Sequence, residues 1–335
     1  MRPDLNFGPP GDEWHYDRPS RTYDLTRGRS PAWKVGTSQG PAGTSVSVNP
    51  HSTALVVVDM QNYFLHPSCR DHPAGLAAVE QTKRAVEKCR ELGIQVIWLN
   101  WGLTDDDLAR MPASVQRGFS RSLILGEEAT NDKGTVARLG LGADLGGGRG
   151  RCLVAGEWNA DIYEPLKRSS LRPQEDVRCD KNRMSGMWSP EQPLRKYLER
   201  TRKDDEDGEE AASGTGDGRG AGGIRTLLFA GVNTDQCVLG TLTDAYNAGW
   251  DCILIEDCCG TGTPGAPEVC LYNISVSFRF ALFFSGLYPL VPPLWSWSWI
   301  SLAHTGSSSR QRHFSPEQPL EALALAHHAR LVMSR

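Results

Sequence analysis

Four short apolar runs stand out along the chain. They are Ala54 to Val58, Ile94 to Leu99, Ile224 to Phe229 and Asp251 to Asp257. Each is rich in β-branched or aliphatic residues and lacks regular polar alternation, which marks strands buried on both faces. Between the first two, Leu76 to Leu92 places Val79, Val86 and Cys89 near one helical face, and Gly93 closes the helix. This is a βαβ unit, so the sheet is parallel and its crossover right-handed. Leu239 to Gly249 predicts another helix, and Pro193 to Arg202 a further one. Shorter helical stretches are expected at Thr104 to Arg110, Asp161 to Lys167 and Ala266 to Ile274, with a short strand at Asp176 to Asp180. The fold class is therefore α/β, built on an open parallel sheet.

Elsewhere the pattern fades. Residues 1–50 are rich in Pro, Gly, Asp and Arg and predict an irregular N-terminal arm, with Trp14, Tyr16 and Tyr23 to pack it on the body. The main domain is expected over 51–274. Inside it, Lys203 to Gly223 is acidic and then Gly/Ser-rich, a disordered insertion. Gly140 to Gly150 is Gly-rich, but no strand precedes it, so it reads as a surface loop rather than a phosphate cradle. From Ser275 the character changes, giving a divergent tail over 275–335. Its aromatic stretch Phe278 to Leu302 is interrupted by Arg279, Pro289, Pro292 and Pro293, which argues against a membrane helix. Pro316 to Met333 predicts a terminal helix with Ser315 as its N-cap.

Composition narrows the function. The 335 residues carry a net charge of −4, which gives no sign of general nucleic-acid binding. Nine cysteines, an odd number with no CxxC pair, predict neither a disulfide framework nor a zinc site. Met1 to Ser30 lacks the apolar core of a secretory signal. A reducing, cytoplasmic setting is the expectation.

The chemistry gathers where strands end. Cys237 follows the Ile224–Phe229 strand and opens the next helix, with Thr234 as the expected N-cap. There the helix dipole favours a thiolate, and free N–H groups can hold an oxyanion. Asp59 closes the first strand, and Lys181 follows the short strand at 176–180. Ligand sites in open parallel sheets lie at the carboxyl ends of strands. A nucleophile, a carboxylate to take its proton and a cation to favour both charged forms are thus within reach of one edge.

Three segments, Val57-Val58-Asp59-Met60-Gln61, Lys181 to Trp188 and Gly231 to Val238, resemble the motifs of the isochorismatase-like cysteine hydrolases. This superfamily includes isochorismatases, ureidoacrylate and biuret-type amidohydrolases and N-carbamoylsarcosine amidases. The resemblance runs from about Thr53 to about Ile274. It implies an open, mostly parallel six-stranded sheet with helices on both faces. It implies Cys237 as nucleophile, Asp59 as general base and Lys181 as the third member. It also implies a cis peptide between Val232 and Asn233 that aims the N–H groups of Asn233 and Cys237 at the oxyanion. Gln61, Trp101, Arg183 and Trp188 are the expected substrate contacts. For Arg183 the alternative is a plain surface charge, and for Trp101, Trp158 and Trp188 ordinary core packing.

A thiol at 237 favours the amidase branch, acting on a small amide, carbamoyl or ureido group. Two alternatives remain, a vinyl-ether hydrolase in which Cys237 is idle and an inactive paralogue acting as a binding partner. The Asp-x-His metal pattern of nicotinamidases is absent after Asp59, so no metal and no cofactor are expected. The expected partner is a small-molecule substrate rather than nucleic acid or membrane, and a homo-oligomer is compatible with the sequence. The tail beyond Ile274 shows no counterpart of the family's last strand, which puts that strand in doubt.

Overall fold

The computed structural model describes residues 4–38, 43–125, 139–206, 223–275 and 280–282. Strands β1 (Leu5–Phe7), β2 (Trp14–Asp17), β3 (Thr22–Asp24), β4 (Trp33–Gly36) and β5 (Ser45–Val48) come first. They form a small sheet in the order β1-β2-β3-β5-β4. An irregular arm was the expectation for this segment. Its strands are three or four residues long, too short to show a period in sequence; Leu25, Val35, Val46 and Val48 join the main core, and Trp14, Tyr23 and Trp33 pack against it half-buried.

The main sheet follows. Strands β6 (Thr53–Val58), β7 (Gln95–Trp101), β8 (Val177–Lys181), β9 (Thr226–Val232), β10 (Asp251–Gly260) and β11 (Phe280–Leu282) lie in the order β11-β10-β9-β6-β7-β8. Every pairing is parallel. The sequence left the last strand without a counterpart. The structure supplies a three-residue one, pairing Ile253, Leu254 and Ile255 with Phe280, Ala281 and Leu282. The helices are α1 (Asn62–Leu65), α2 (Pro73–Glu91), α3 (Asp105–Ala109), α4 (Ala113–Phe119), α5 (Arg121–Leu125), α6 (Glu164–Ser170), α7 (Pro193–Glu206), α8 (Leu239–Asn247) and α9 (Ala266–Asn273). The long α2 crosses between β6 and β7 and touches β6, β7, β9 and β10. Its Ala78, Val79, Ala85, Val86 and Cys89 are buried, the face the sequence periodicity marked.

Strands β6, β7 and β9 are buried along their whole length, as their continuous apolar runs require. Gly231 lies where β9 passes β6 beside the carboxyl edge. Its φ is +122°, and a Cβ there would sit 2.0 Å from the Val58 carbonyl oxygen, so only glycine fits. Residues 207–222, most of the expected insertion, lie outside the described residues, as does the terminal helix expected at 316–333. Among the described residues, no helix is long and apolar enough to cross a membrane.

The N-terminal sheet is tied to the main one through Asp251 at the start of β10. Its carboxylate accepts from Arg27 at 2.6 and 3.2 Å, from the Trp14 indole at 3.0 Å and from the Thr226 hydroxyl at 3.2 Å. Asp251→Ala leaves the buried Arg27 guanidinium with Asp12 as its remaining carboxylate partner. Breaking one side of a buried ion pair costs about 3–5 kcal/mol, and the retained Asp12 contact places this case near about 3 kcal/mol. Urea unfolding should show that loss. A change below about 1 kcal/mol would mean that the clamp does not hold the N-terminal sheet in place.

Candidate active site

The carboxyl edge of the main sheet brings the three expected residues together. Asp59 follows β6 directly, and its backbone takes a positive φ of 50° while its N–H donates to Leu99 O at 2.8 Å. That turn carries the chain off the strand and points the carboxylate inward. Lys181 is the last residue of β8, opposite Trp101 of β7. Cys237 lies in a single π-helical turn, Thr234–Val238, between β9 and α8. The cap position is Asn233, not Thr234 as the sequence suggested, because the wider turn already begins at Thr234, one residue earlier than expected. The Val232–Asn233 peptide is cis, as the resemblance implies.

Asp59 and Lys181 are fully buried, with Lys181 Nζ 2.9 Å from Asp59 Oδ2. The same Nζ lies 3.5 Å from Cys237 Sγ, 3.2 Å from Arg183 O and 4.1 Å from the centre of the Trp101 ring. Asp59 Oδ1 accepts the Trp101 N–H at 3.2 Å. The three side chains therefore form one buried, charge-coupled group with Lys181 at its centre.

Their electrostatics reverse one expectation. Burial pushes the Cys237 thiol up to about 12, the Asp59 charge adds to the rise, and Lys181 only partly opposes it. A helix start predicts a thiolate, but dry surroundings and a neighbouring carboxylate outweigh one turn of backbone dipole here. Burial also raises the Asp59 carboxyl above its ordinary value, against Lys181, the thiol and the Trp101 N–H. The resting site thus holds a protonated thiol beside a carboxylate of heightened basicity.

Above the group opens a cavity of about 520 Å³, walled by Tyr63, Phe64, Trp101, Phe119, Met184 and Trp188, with Cys237 and Asn233 at its lining. Trp101 and Trp188 border it as expected, and so does Arg183. Gln61 does not reach it. Its amide nitrogen donates to the carbonyls of Trp101 at 2.7 Å and Ala160 at 2.5 Å, and its oxygen accepts from Trp101 N at 3.0 Å. Its side-chain amide thus ties the end of β7 at Trp101 to the segment at Ala160. Trp158 packs edge-on against His66, 4.9 Å between ring centres, and borders a separate, smaller cavity.

Other lining residues gave little sequence signal. Val115 and Phe119 come from α4, in a stretch of loose periodicity. His72 lines the cavity and holds Asn233. Its Nδ1 accepts the Gly75 N–H at 2.7 Å, so Nε2 is the donor to Asn233 Oδ1 at 2.5 Å. Arg70 lines the cavity from the α1–α2 connection. Among the described residues no cluster of three or more His, Cys, Asp or Glu side chains has the arrangement of a metal site.

The family model described as the isochorismatase domain matches residues 53–206 and 218–278. The ureidoacrylate amidohydrolase RutB of Caulobacter segnis is 27% identical over 242 residues, covering 70% of this chain and 83% of that protein. The ureidoacrylate amidohydrolase RutB of Methylorubrum extorquens is 28% identical over 260 residues, covering 75% and 87%. An isochorismatase family protein from Desulfovibrio vulgaris superposes with a TM-score of 0.48 at 20% identity, covering 70% of this chain and 96% of that one.

Proposed function

The chain belongs to the isochorismatase family of hydrolases, and on that premise we propose that it cleaves a C–N bond of a small amide, carbamoyl or ureido compound through an acyl group carried on Cys237. The observation that carries this reading is Lys181 Nζ, 2.9 Å from a buried carboxylate and 3.5 Å from a buried thiol beneath an aromatic cavity. The relatives named as ureidoacrylate amidohydrolases support the same class of bond.

The electrostatics set the order of events. Because the thiol rests protonated, attack and deprotonation are coupled. Asp59 takes the proton as sulfur adds to the carbonyl carbon, and Lys181 holds negative charge on either partner. The oxyanion forms against the backbone N–H groups of Asn233 and Cys237. Asp59 returns the proton to the departing nitrogen, which leaves as ammonia from a ureido or primary amide group. Water then adds to the acyl–sulfur carbonyl, giving its proton to Asp59. Collapse breaks the C–S bond, and the thiol recovers that proton.

Ammonia release from a panel of small ureides and amides tests the proposal. At least one ureide should be turned over. Failure across the panel, with cleavage of a vinyl ether instead, would contradict it. The pH profile adds a second test. A base works only when ionised, and burial holds Asp59 above its ordinary 3.8. The acid limb of kcat/KM should therefore fall at a pH above 3.8, with activity lost as pH drops through it. A limb at or below the ordinary carboxylate value would show that this carboxyl is not the base.

A further inference from the structure

The backbone at the start of α2 sets which way the Asn233 side-chain amide faces. His72 caps α2, and its Nδ1 accepts the Gly75 N–H at 2.7 Å. A backbone N–H can only donate, so Nδ1 carries no proton and the neutral ring holds its proton on Nε2. Nε2 lies 2.5 Å from the Asn233 amide and donates there, so the atom it meets is the oxygen, Oδ1. The ring is held closely. A Cβ at residue 75 would lie 2.6 Å from His72 Nδ1, so glycine is what lets the backbone come this near.

Asn233 is fixed at its backbone as well. Its carbonyl accepts the Gln236 N–H at 3.0 Å and the Val238 N–H at 3.2 Å. With Oδ1 turned to His72, the other end of the amide is Nδ2, and among the described residues no protein group accepts its N–H groups. Asn233 is half-buried and lines the cavity together with Cys237. An untied amide turns over at little cost and offers a ligand either its oxygen or its nitrogen. This one, tied by His72, offers only the nitrogen. The cavity therefore holds a neutral donor of preset polarity on the residue that opens the Cys237 turn.

Building on the hydrolase reading above, we infer that the Asn233 side-chain amide is a specificity-determining donor, tied by His72, which binds a second acceptor oxygen of the substrate beside the scissile carbonyl. The scissile oxygen lies on the backbone N–H groups of Asn233 and Cys237, and the second oxygen on Asn233 Nδ2. His72 is a positioning residue. It acts through Asn233, by keeping the donor end of the amide toward the cavity.

The test compares ammonia release from N-acetylurea and from N-isopropylurea, in which a methyl group stands in place of the second carbonyl oxygen. One neutral hydrogen bond corresponds to about 3- to 10-fold in kcat/KM. The acetylurea-to-isopropylurea ratio should fall by that factor in Asn233→Asp, which keeps an oxygen for His72 and loses the NH2 donors. It should also fall in His72→Asn, which retains a side chain suited to capping α2 but too short to reach Asn233. Combining the two should lower it no further, because His72 then has no donor left to orient. Each ratio is read within one variant, so a general loss of folded protein or of rate cannot imitate the result. An unchanged ratio in Asn233→Asp overturns the donor. An unchanged ratio in His72→Asn, or full multiplication of the two losses, overturns the tie. If neither urea is hydrolysed, the hydrolase reading fails separately, and the donor is judged by NMR titration of the unreactive Cys237→Ala protein. The Asn233 side-chain NH2 signals, assigned by their absence when Asn233→Asp is added, should shift with N-acetylurea and stay in place with N-isopropylurea. No shift with N-acetylurea, or equal shifts with both, overturns the inference.

Discussion

Cys237→Ala should lower amide hydrolysis by about 10,000-fold or more while the protein stays folded. The thiol is the one group in the buried trio able to form a covalent bond to the carbonyl. Removing it leaves no buried charge unpaired, because Lys181 keeps Asp59 at 2.9 Å and the Arg183 carbonyl at 3.2 Å. The turn also keeps its tie from the Thr241 hydroxyl to Cys237 O at 2.7 Å. Cys237→Ser should be nearly as inactive, since an aspartate, even a raised one, is too weak a base to ionise a serine hydroxyl. Residues acting as a unit do not add. Cys237→Ala combined with Asp59→Asn should therefore be barely slower than either alone. Full multiplication of the two losses would show that they act in separate steps.

Lys181→Met should be the next most damaging change, with a loss of about 100-fold or more at neutral pH. Methionine nearly fills the same volume, so the effect is electrical. Lys181 is the cation that opposes burial at both Asp59 and Cys237. Without it the buried carboxylate has no counter-ion and takes up a proton, which removes the base. The sign of the pH effect follows. Asp59 is then ionised only at higher pH, so the acid limb of kcat/KM should move upward and activity should partly recover as pH rises. A lysine that served only as packing would leave the limb where it is. The pH–rate profile of the variant decides between the two.

Much of this site was legible before the fold was known. Asp59 and Cys237 follow apolar runs whose strand character is plain, and a parallel sheet puts both strand ends on one edge. Lys181 came from its motif, although the strand that carries it is only five residues long and half-exposed. What could not be read depends on burial and on long-range approach. The raised thiol of Cys237 is set by packing on every side, which no local pattern records. Gln61 sits in the same motif as Asp59, yet its side chain faces Trp101 and Ala160, because a turn after β6 separates the two directions. His72 lies in a short connection between helices with no period of its own, and its contact with Asn233 appears only in three dimensions. The N-terminal sheet was hidden for a related reason. Its strands are stabilised by pairing with one another and by the Asp251 clamp rather than by an apolar run.

The central claim is that an acyl group passes through Cys237. Mass spectrometry of enzyme quenched during turnover of a ureide tests it most directly. The account predicts an adduct equal to the substrate less ammonia, located on the peptide containing Cys237, chased away by further incubation and absent from Cys237→Ala. Steady turnover with no adduct at Cys237, together with full activity in Cys237→Ala, would contradict it.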